Sequence, residues 1–235
     1  MIAVAGGKGG SGKTTTTLGL ARAIARRNGS ESVVAVDADW DLPNLVRLAS
    51  TTLEGTWSDR TPTVVDAVRS TDSTASLEGS PTVLDAPADP GRHDVREVLP
   101  ALASQFDSGG ETVLVDCPAG ASPDAATPLR AADRAVLVTP LRPAALRDTV
   151  KTAAMGRALD CPPVGVIATR TGAAPDRLAE LLGCPVLGAI PEASPSPLSD
   201  ERVRSAYREV VDALSSVSEA EDSTYRQSQR RTDNR

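Results

Sequence analysis

Short apolar runs alternate with longer amphipathic runs along most of the chain. Several short runs are apolar at every position, which is typical of central strands in a parallel sheet that is buried on both faces. The predicted strands are residues 2–5, 32–37, 82–86, 112–116, 135–140, 164–170 and 185–190. The longer runs repeat apolar residues three and four positions apart, and they predict helices at 13–28, 62–70, 92–106, 123–132, 143–159, 175–183 and 199–217. This alternation predicts a doubly wound α/β fold with a mostly parallel sheet and right-handed crossovers.

Polar segments indicate where the fold is interrupted and where it ends. Residues 50–61 and 71–80 are rich in Ser, Thr, Asp and Gly, and we expect them to be surface loops. From residue 218 onward the chain contains no Val, Leu, Ile, Phe or Met. Such a segment cannot bury enough apolar surface to offset the entropy of ordering it. We therefore expect one domain over residues 1–217 and a disordered polar tail over 218–235.

The composition narrows the class of protein. The chain has 235 residues, of which 40% are hydrophobic, and this is enough for the core of one α/β domain. Only 2% are aromatic, which argues against binding nucleic acid by base stacking. The net charge is −6, and lysine occurs only at positions 8, 13 and 151. A general attraction to phosphate backbones is therefore disfavoured, although a local arginine patch and DNA binding stay open.

Other chemistries find little support in the sequence. Cys117, Cys161 and Cys184 are far apart and form no CxxC pair, so we expect buried free thiols, with a cluster shared between two subunits as the alternative. His93 is the only histidine, and any Ser/His/Asp or Cys/His catalysis would depend on it. No apolar stretch is long enough to span a membrane and the N-terminus lacks a signal-peptide pattern, so we expect a cytoplasmic protein.

The opening segment carries the strongest motif. Residues 7–14, GKGGSGKT, match GxxxxGK[ST] between a predicted strand and a predicted helix. Glycines let successive N–H groups turn toward phosphate oxygens, and the helix N-terminus adds positive potential. Lys13 is expected at the β and γ phosphates, and the Thr14 hydroxyl at Mg²⁺. The predicted nucleotide contacts in this loop are Gly7, Lys8, Gly9, Gly10, Ser11, Gly12, Lys13, Thr14 and Thr15.

Two acidic segments follow predicted strands. In VVAVDADWDLPNL (33–45), Asp37 and Asp39 stand at the end of a strand, where a carboxylate next to the phosphate crevice can orient a water molecule or hold a metal ion. In TVLVDCPAG (112–120), an apolar strand ends in Asp116, as in a Walker B motif. The predicted metal-site residues are Thr14, Asp37 and Asp116.

These motifs resemble those of the MinD/ParA family of ATPases. The stretch KGGSGKT is similar to the family's deviant Walker A loop, whose first lysine reaches across a dimer to the partner's nucleotide; Lys8 matches it. Residues 33–45 and 112–120 resemble the family's VDxDxxxxNL and VDxPAG segments. The resemblance implies that Asp39 helps to position the attacking water, that Asp116 holds the Mg²⁺ shell, and that residues 118–120 sense the γ phosphate. The implied catalytic residues are Lys8, Lys13 and Asp39.

The resemblance covers about residues 1–217 and becomes diffuse in the second half. TPLRPAALRDT (139–149) resembles a family segment ending in VRD, with Arg147 and Asp148 matched and Arg142 where an acidic residue is common. VIATR (166–170) and GAIPE (188–192) fall where MinD-like proteins contact adenine. The implied adenine contacts are Thr169, Arg170, Pro191 and Glu192.

The resemblance implies an ATP-dependent homodimer that acts as a switch in spatial positioning, with ATP and Mg²⁺ as cofactors and a protein activator or cargo adaptor as partner. Hydrolysis is expected to depend on Mg²⁺ and to be slow without that partner. The alternatives are an ATP-dependent metabolic enzyme or a transport ATPase on the same scaffold. An iron–sulfur carrier is less favoured, because Cys117 has neither a CxxC nor a glycine-flanked context.

The last predicted helix bears on membrane binding. In residues 199–217 the apolar residues form one stripe with Glu and Asp opposite, which is typical of core packing rather than of an interfacial helix. The few arginines of the tail are offset by Glu219, Glu221 and Asp222, so we expect no direct membrane anchor.

Overall fold

A sheet of parallel strands forms the centre of the molecule. The computed structural model describes residues 1–7, 9–27, 32–53, 61–70, 80–107 and 111–232. Within them the strands are β1 (Ile2–Ala5), β2 (Val33–Asp37), β3 (Thr82–Leu84), β4 (Thr112–Asp116), β5 (Arg134–Pro140), β6 (Pro163–Thr169) and β7 (Val186–Ile190). Their order across the sheet is β3-β2-β4-β1-β5-β6-β7, and each neighbouring pair is parallel. The predicted strands and the parallel doubly wound class are confirmed.

Helices cover both faces of this sheet. They are α1 (Lys13–Arg27), α2 (Leu45–Thr52), α3 (Val64–Arg69), α4 (Val95–Asp107), α5 (Pro123–Ala131), α6 (Pro143–Ala158), α7 (Arg177–Leu182) and α8 (Glu201–Thr232). Buried residues of α1, α2 and α8 pack together on one face. Those of α3 to α7 pack on the other. The two faces explain the continuous apolar runs: in β2, Val33 and Ala35 face one layer while Val34 and Val36 face the other.

Helix α2 was missed by the sequence analysis, which placed a loop from residue 50 onward. Its N-cap residue, Asn44, makes no side-chain capping bond. Instead the carboxylate of Asp37 accepts hydrogen bonds from the backbone N–H groups of Asn44 and Leu45, at 3.0 Å each. Asn44 is itself a usual N-cap residue type, so the sequence carries a local start signal, but the bonds that cap α2 come from Asp37 at the end of the preceding strand. Most of the predicted loop at 71–80 lies outside the described residues.

The C-terminal helix combines a packed half with a polar extension. Val203, Tyr207, Val210, Val211 and Leu214 are buried against α1 and β7, which confirms the core-packing prediction for this stripe. The backbone stays helical to Thr232, where the composition predicts disorder. Residues 218–232 contain neither proline nor glycine, so nothing in the sequence interrupts a helix already nucleated by packing. The domain boundary at residue 217 stays a prediction.

The cysteines and the helices bear on two further expectations from the sequence. All three cysteines are buried free thiols, as expected. Among the described residues, no helix combines the length and apolarity needed to cross a bilayer.

Candidate functional site

The candidate site lies at the carboxyl edge of the sheet, around the end of β1. The chain leaves β1 between its neighbours β4 and β5, curls through the glycine-rich loop and enters α1 at Lys13. In open parallel sheets, ligands bind at such an edge, where helices leave neighbouring strands on different faces. The fold therefore places the phosphate loop, the end of β2 and the end of β4 around one crevice. Lys8 lies outside the described residues.

Several glycines of the loop stand where a larger residue would be strained or would collide with its neighbours. Gly10 and Gly12 have φ angles of 73° and 96°, in the left-handed region that favours glycine. A Cβ at Gly7 would collide with the backbone of Asp148 and Thr149 in α6. At Gly9 and Gly10, by contrast, a Cβ would meet nothing within 4 Å. The loop is thus packed tightly at its start and exposes open backbone at its tip.

The loop also has the polar character of an anion site. The Oγ of Ser11 is buried and has no hydrogen-bond partner among the described residues. Buried hydroxyls normally have partners, so an unpaired one in this loop fits a site completed by a ligand. Lys13 is only 8% exposed and stands at the first residue of α1, where N–H groups are free to donate outward. These features fit a bound phosphate.

Asp116 is the acidic centre of the crevice. It ends β4 beside Asp37 in register, and its carboxylate accepts hydrogen bonds from the hydroxyls of Thr17, at 3.4 Å, and Thr14. Burial raises the pKa of Asp116 to about 7; the Thr14 bond opposes this, the Asp37 charge adds to it, and Lys13 lowers it again. A cation bound next to a buried carboxyl group stabilises its ionised form and so offsets the cost of burial. With Thr14 beside it, this donor pair fits Mg²⁺.

Asp37 serves chiefly to hold its own loop. Burial raises its pKa to about 6, while the N–H groups of Leu45, Asp39 and Asn44 oppose that shift by donating to the carboxylate. Both carboxylate oxygens are therefore engaged by backbone. Among the described residues, no group of three or more His, Cys, Asp and Glu side chains is arranged to hold a metal ion. The assignment of Asp37 to the metal shell stays a prediction.

Asp39 lies on the loop that Asp37 fixes. The indole Nε1 of Trp40 donates to the Asp37 carbonyl oxygen at 3.2 Å, and this bond restrains the loop further. Partial burial raises the pKa of Asp39, with the Leu42 N–H and Lys13 opposing and Asp41 and Asp124 adding to the rise. The structure thus brings Asp39 near Lys13 at the crevice. Its part in positioning water stays a prediction.

The predicted adenine contacts come together in one pocket beside the phosphate loop. The pocket has a volume of about 270 Å³ and is lined by Gly12, Thr15, Thr169, Arg170, Pro191 and Glu192, among others. Thr169 ties it to the loop, since its hydroxyl donates to the carbonyl of Ser11 at 2.8 Å. The binding of adenine there stays a prediction.

Tyr207 is a pocket residue that the sequence analysis missed. It also lines the pocket, and its hydroxyl is 3.2 Å from the Thr16 hydroxyl of α1. The sequence placed Tyr207 only in the apolar stripe of α8; the one available signal was a hydroxyl-bearing residue among aliphatic ones.

Of the two matched residues of α6, Asp148 lies against the start of the phosphate loop. The Asp148 carboxylate pairs with Lys151 at 3.1 Å. Arg147 is exposed. The backbone at Asp148 packs against Gly7 of the phosphate loop.

Comparison with known proteins places these features in one family. The model of the CobQ/CobB/MinD/ParA nucleotide binding domain matches residues 2–203. An uncharacterised ATP-binding protein of Methanocaldococcus jannaschii is 30% identical over 200 residues, which cover 81% of this chain and 74% of the relative. The septum site-determining protein MinD of Synechocystis is 26% identical over 204 residues, covering 82% and 76%.

A solved structure has the same fold. The septum site-determining protein MinD of Pyrococcus horikoshii, complexed with Mg-ADP, superposes with a TM-score of 0.76 over 91% of this chain and 94% of that chain, at 24% identity.

Proposed function

The chain belongs to the CobQ/CobB/MinD/ParA family of nucleotide-binding domains and is a MinD/ParA-like ATPase, and we propose that ATP turns it into a dimeric switch for spatial positioning. Cell division, chromosome partitioning and polar or motility machinery are the processes in which such a switch would act. The observation that carries the proposal is the buried Asp116 carboxyl beside Thr14 and Lys13, at a phosphate loop whose backbone is open. Hydrolysis would depend on Mg²⁺.

The residues of the crevice divide the chemistry among them. Mg²⁺, when bound, would supply positive charge that offsets the negative charge of the phosphates. Thr14 and Asp116 would hold it, and Asp116 gives up its proton to do so. Lys13 places a compact positive charge beside the same phosphates, and the N-terminus of α1 adds its N–H groups. The loop glycines orient the phosphates by backbone contact alone.

Asp39 would orient the attacking water. Its loop is fixed by the bonds of Asp37 and Trp40, while Asp39 itself is only partly buried. A carboxylate open to solvent on one side positions water loosely, so we propose that hydrolysis is slow until a protein activator or cargo adaptor closes over this loop. Lys8 would reach the nucleotide of the second subunit, which would make the dimer depend on ATP.

An iron–sulfur carrier is disfavoured by the thiols. Cys117, Cys161 and Cys184 are each under 10% exposed, and burial raises the pKa of all three. A cluster shared between two subunits needs thiolates at the surface. No observation favours a metabolic enzyme or a transport ATPase over the switch.

The oligomeric state with ATP tests the proposal. In Asp39→Ala protein, which should bind ATP but turn it over slowly, ATP and Mg²⁺ should give a dimer by size exclusion with light scattering. Adding Lys8→Ala should abolish that dimer and leave ATP affinity unchanged by calorimetry. Lys151→Ala is the matched control, because its ammonium pairs with Asp148 at the surface. If Asp39→Ala protein stays monomeric with ATP, the switch is wrong; if the Lys8→Ala dimer persists, the cross-subunit role of Lys8 is wrong.

A further inference from the structure

In the loop after β4, residues 117–120, both backbone groups of Gly120 take part in hydrogen bonds. The N–H of Gly120 donates to the carbonyl of Gly6 at 3.1 Å, just where the phosphate loop begins. Its carbonyl lies 3.4 Å from the hydroxyl oxygen of Thr152 in α6. Gly120 has a φ of 89°, in the left-handed region that favours glycine. A Cβ at this position would have the Gly7 carbonyl oxygen as its nearest neighbour, at 3.8 Å, so the two hydrogen bonds rather than close packing hold Gly120 in place.

The Thr152 hydroxyl has a choice of acceptor. It is buried, and besides Gly120 it reaches the carbonyl of Asp148, one turn earlier in α6, at 3.1 Å. A hydroxyl donates a single proton, so the two carbonyls compete for it. If Gly120 moves away, Thr152 can still donate within its own helix and no buried donor is left unpaired. The bond to the loop is therefore one that can be released at low cost.

Three parts of the site meet at this point. Gly7 packs on the backbone of Asp148 and Thr149, so the phosphate loop touches the same turn of α6 that carries Thr152. In the arrangement seen here the Gly120 N–H is engaged by Gly6 and cannot donate to a phosphate oxygen. A terminal phosphate that recruited this N–H would have to break that bond and move Gly120, whose carbonyl oxygen lies near the Thr152 hydroxyl.

We infer that Thr152 is a positioning residue that latches the loop after β4 through the Gly120 carbonyl, and that contact with a terminal phosphate releases the latch. The inference rests on the proposed ATP-dependent function. It adds a residue that affects how strongly the site prefers ATP over ADP. The latch favours the arrangement in which Gly120 is bonded to Gly6. Weakening it should therefore favour nucleotides with a third phosphate and leave those with two unaffected.

Hydrogen exchange without nucleotide tests the latch itself. Thr152→Val keeps the shape of the side chain and removes the hydroxyl, so exchange of the Gly120 amide should become about two- to fivefold faster, the lower part of the range for one neutral hydrogen bond. Thr152→Ser should restore the wild-type rate. Thr149→Val is the matched control, because that buried hydroxyl donates to Ala145 in the same helix, at 2.8 Å. It should leave the Gly120 amide unchanged.

Nucleotide affinities test the link to the phosphate. By calorimetry, the ratio of affinities for a non-hydrolysable ATP analogue and for ADP should rise about two- to fivefold in Thr152→Val, with Thr152→Ser and Thr149→Val as in wild type. A merely structural role would lower both affinities together. An unchanged or lowered ratio, or an unchanged amide exchange, overturns the inference, and Thr152→Ala repeats both measurements if Thr152→Val does not fold. If wild type binds neither nucleotide, the proposed function fails, whereas the exchange result still decides the latch.

Discussion

Replacing Asp116 by Asn should stabilise the protein in the absence of Mg²⁺, and more so as the pH rises. The side chain is 2% exposed, and burial raises its pKa from 3.8 to about 7. The folded protein therefore retains a proton that the unfolded chain has released, so the wild type loses stability as the pH rises from about 4 to about 7. Asparagine has about the same shape and cannot ionise, and its carbonyl oxygen can still accept a threonine hydrogen bond.

The size of the effect follows from that shift. With 3.8 in the unfolded chain and about 7 in the fold, the charged side chain costs about 4 kcal/mol above pH 8. At pH 5 only about 1.5 to 2 kcal/mol of this cost is present, because the folded carboxyl is still neutral. The free energy of unfolding of Asp116→Asn relative to wild type should thus increase by about 2 to 3 kcal/mol between pH 5 and pH 8.

Urea unfolding followed by circular dichroism at pH 5 and pH 8, in EDTA, measures this difference. Asp176→Asn is the control for loss of a carboxylate outside the site, since Asp176 is exposed and makes no side-chain capping bond to α7. Adding Mg²⁺ and ADP at pH 8 should stabilise wild type more than Asp116→Asn. A difference between Asp116→Asn and wild type that is the same at both pH values would refute the buried, proton-retaining carboxyl and with it the electrostatic argument for a cation.

Three further predictions concern other parts of the chain. Lys13→Ala should abolish ATP binding in calorimetry, because the loop loses the charge that faces the β and γ phosphates; unchanged affinity would remove the phosphate-loop assignment. Gly19→Ala should lower the free energy of unfolding by about 1 to 3 kcal/mol in urea, since the new Cβ would collide with the ring of Tyr207; the same stability as wild type would argue against the packing of α1 on α8. Deleting residues 218–235 should leave fold and ATP hydrolysis intact, because this segment contains no Val, Leu, Ile, Phe or Met to pack into the core, and the full chain with ATP should not sediment with anionic liposomes. Sedimentation that is lost on deletion would restore a membrane-binding role for this segment.

The local features of this protein could be predicted from the sequence. Strands such as β2 could be predicted from a continuous apolar run, because both faces of a central parallel strand are buried. The phosphate loop could be located to the residue, since its glycines, its lysine and the start of α1 lie within one short segment. Asp116 and Asp39 could be placed at the carboxyl edge of the sheet, because Asp116 ends β4 and Asp39 lies two residues beyond the end of β2.

Tertiary structure alone decided what depends on residues far apart in the chain. The strand order sets β2 beside β4, so Asp37 and Asp116 become neighbours, and burial is the largest cause that raises the pKa of each. The start of α2 is fixed by Asp37, across a turn that no local capping rule describes. Likewise, the bond between Thr152 and Gly120 joins two segments that the sequence analysis had no reason to bring together. Hydrophobic periodicity indicates which face of an element is buried. The partner across that face is determined by the packing of the whole domain. The same packing determines the charges, the desolvation and the hydrogen bonds of the site.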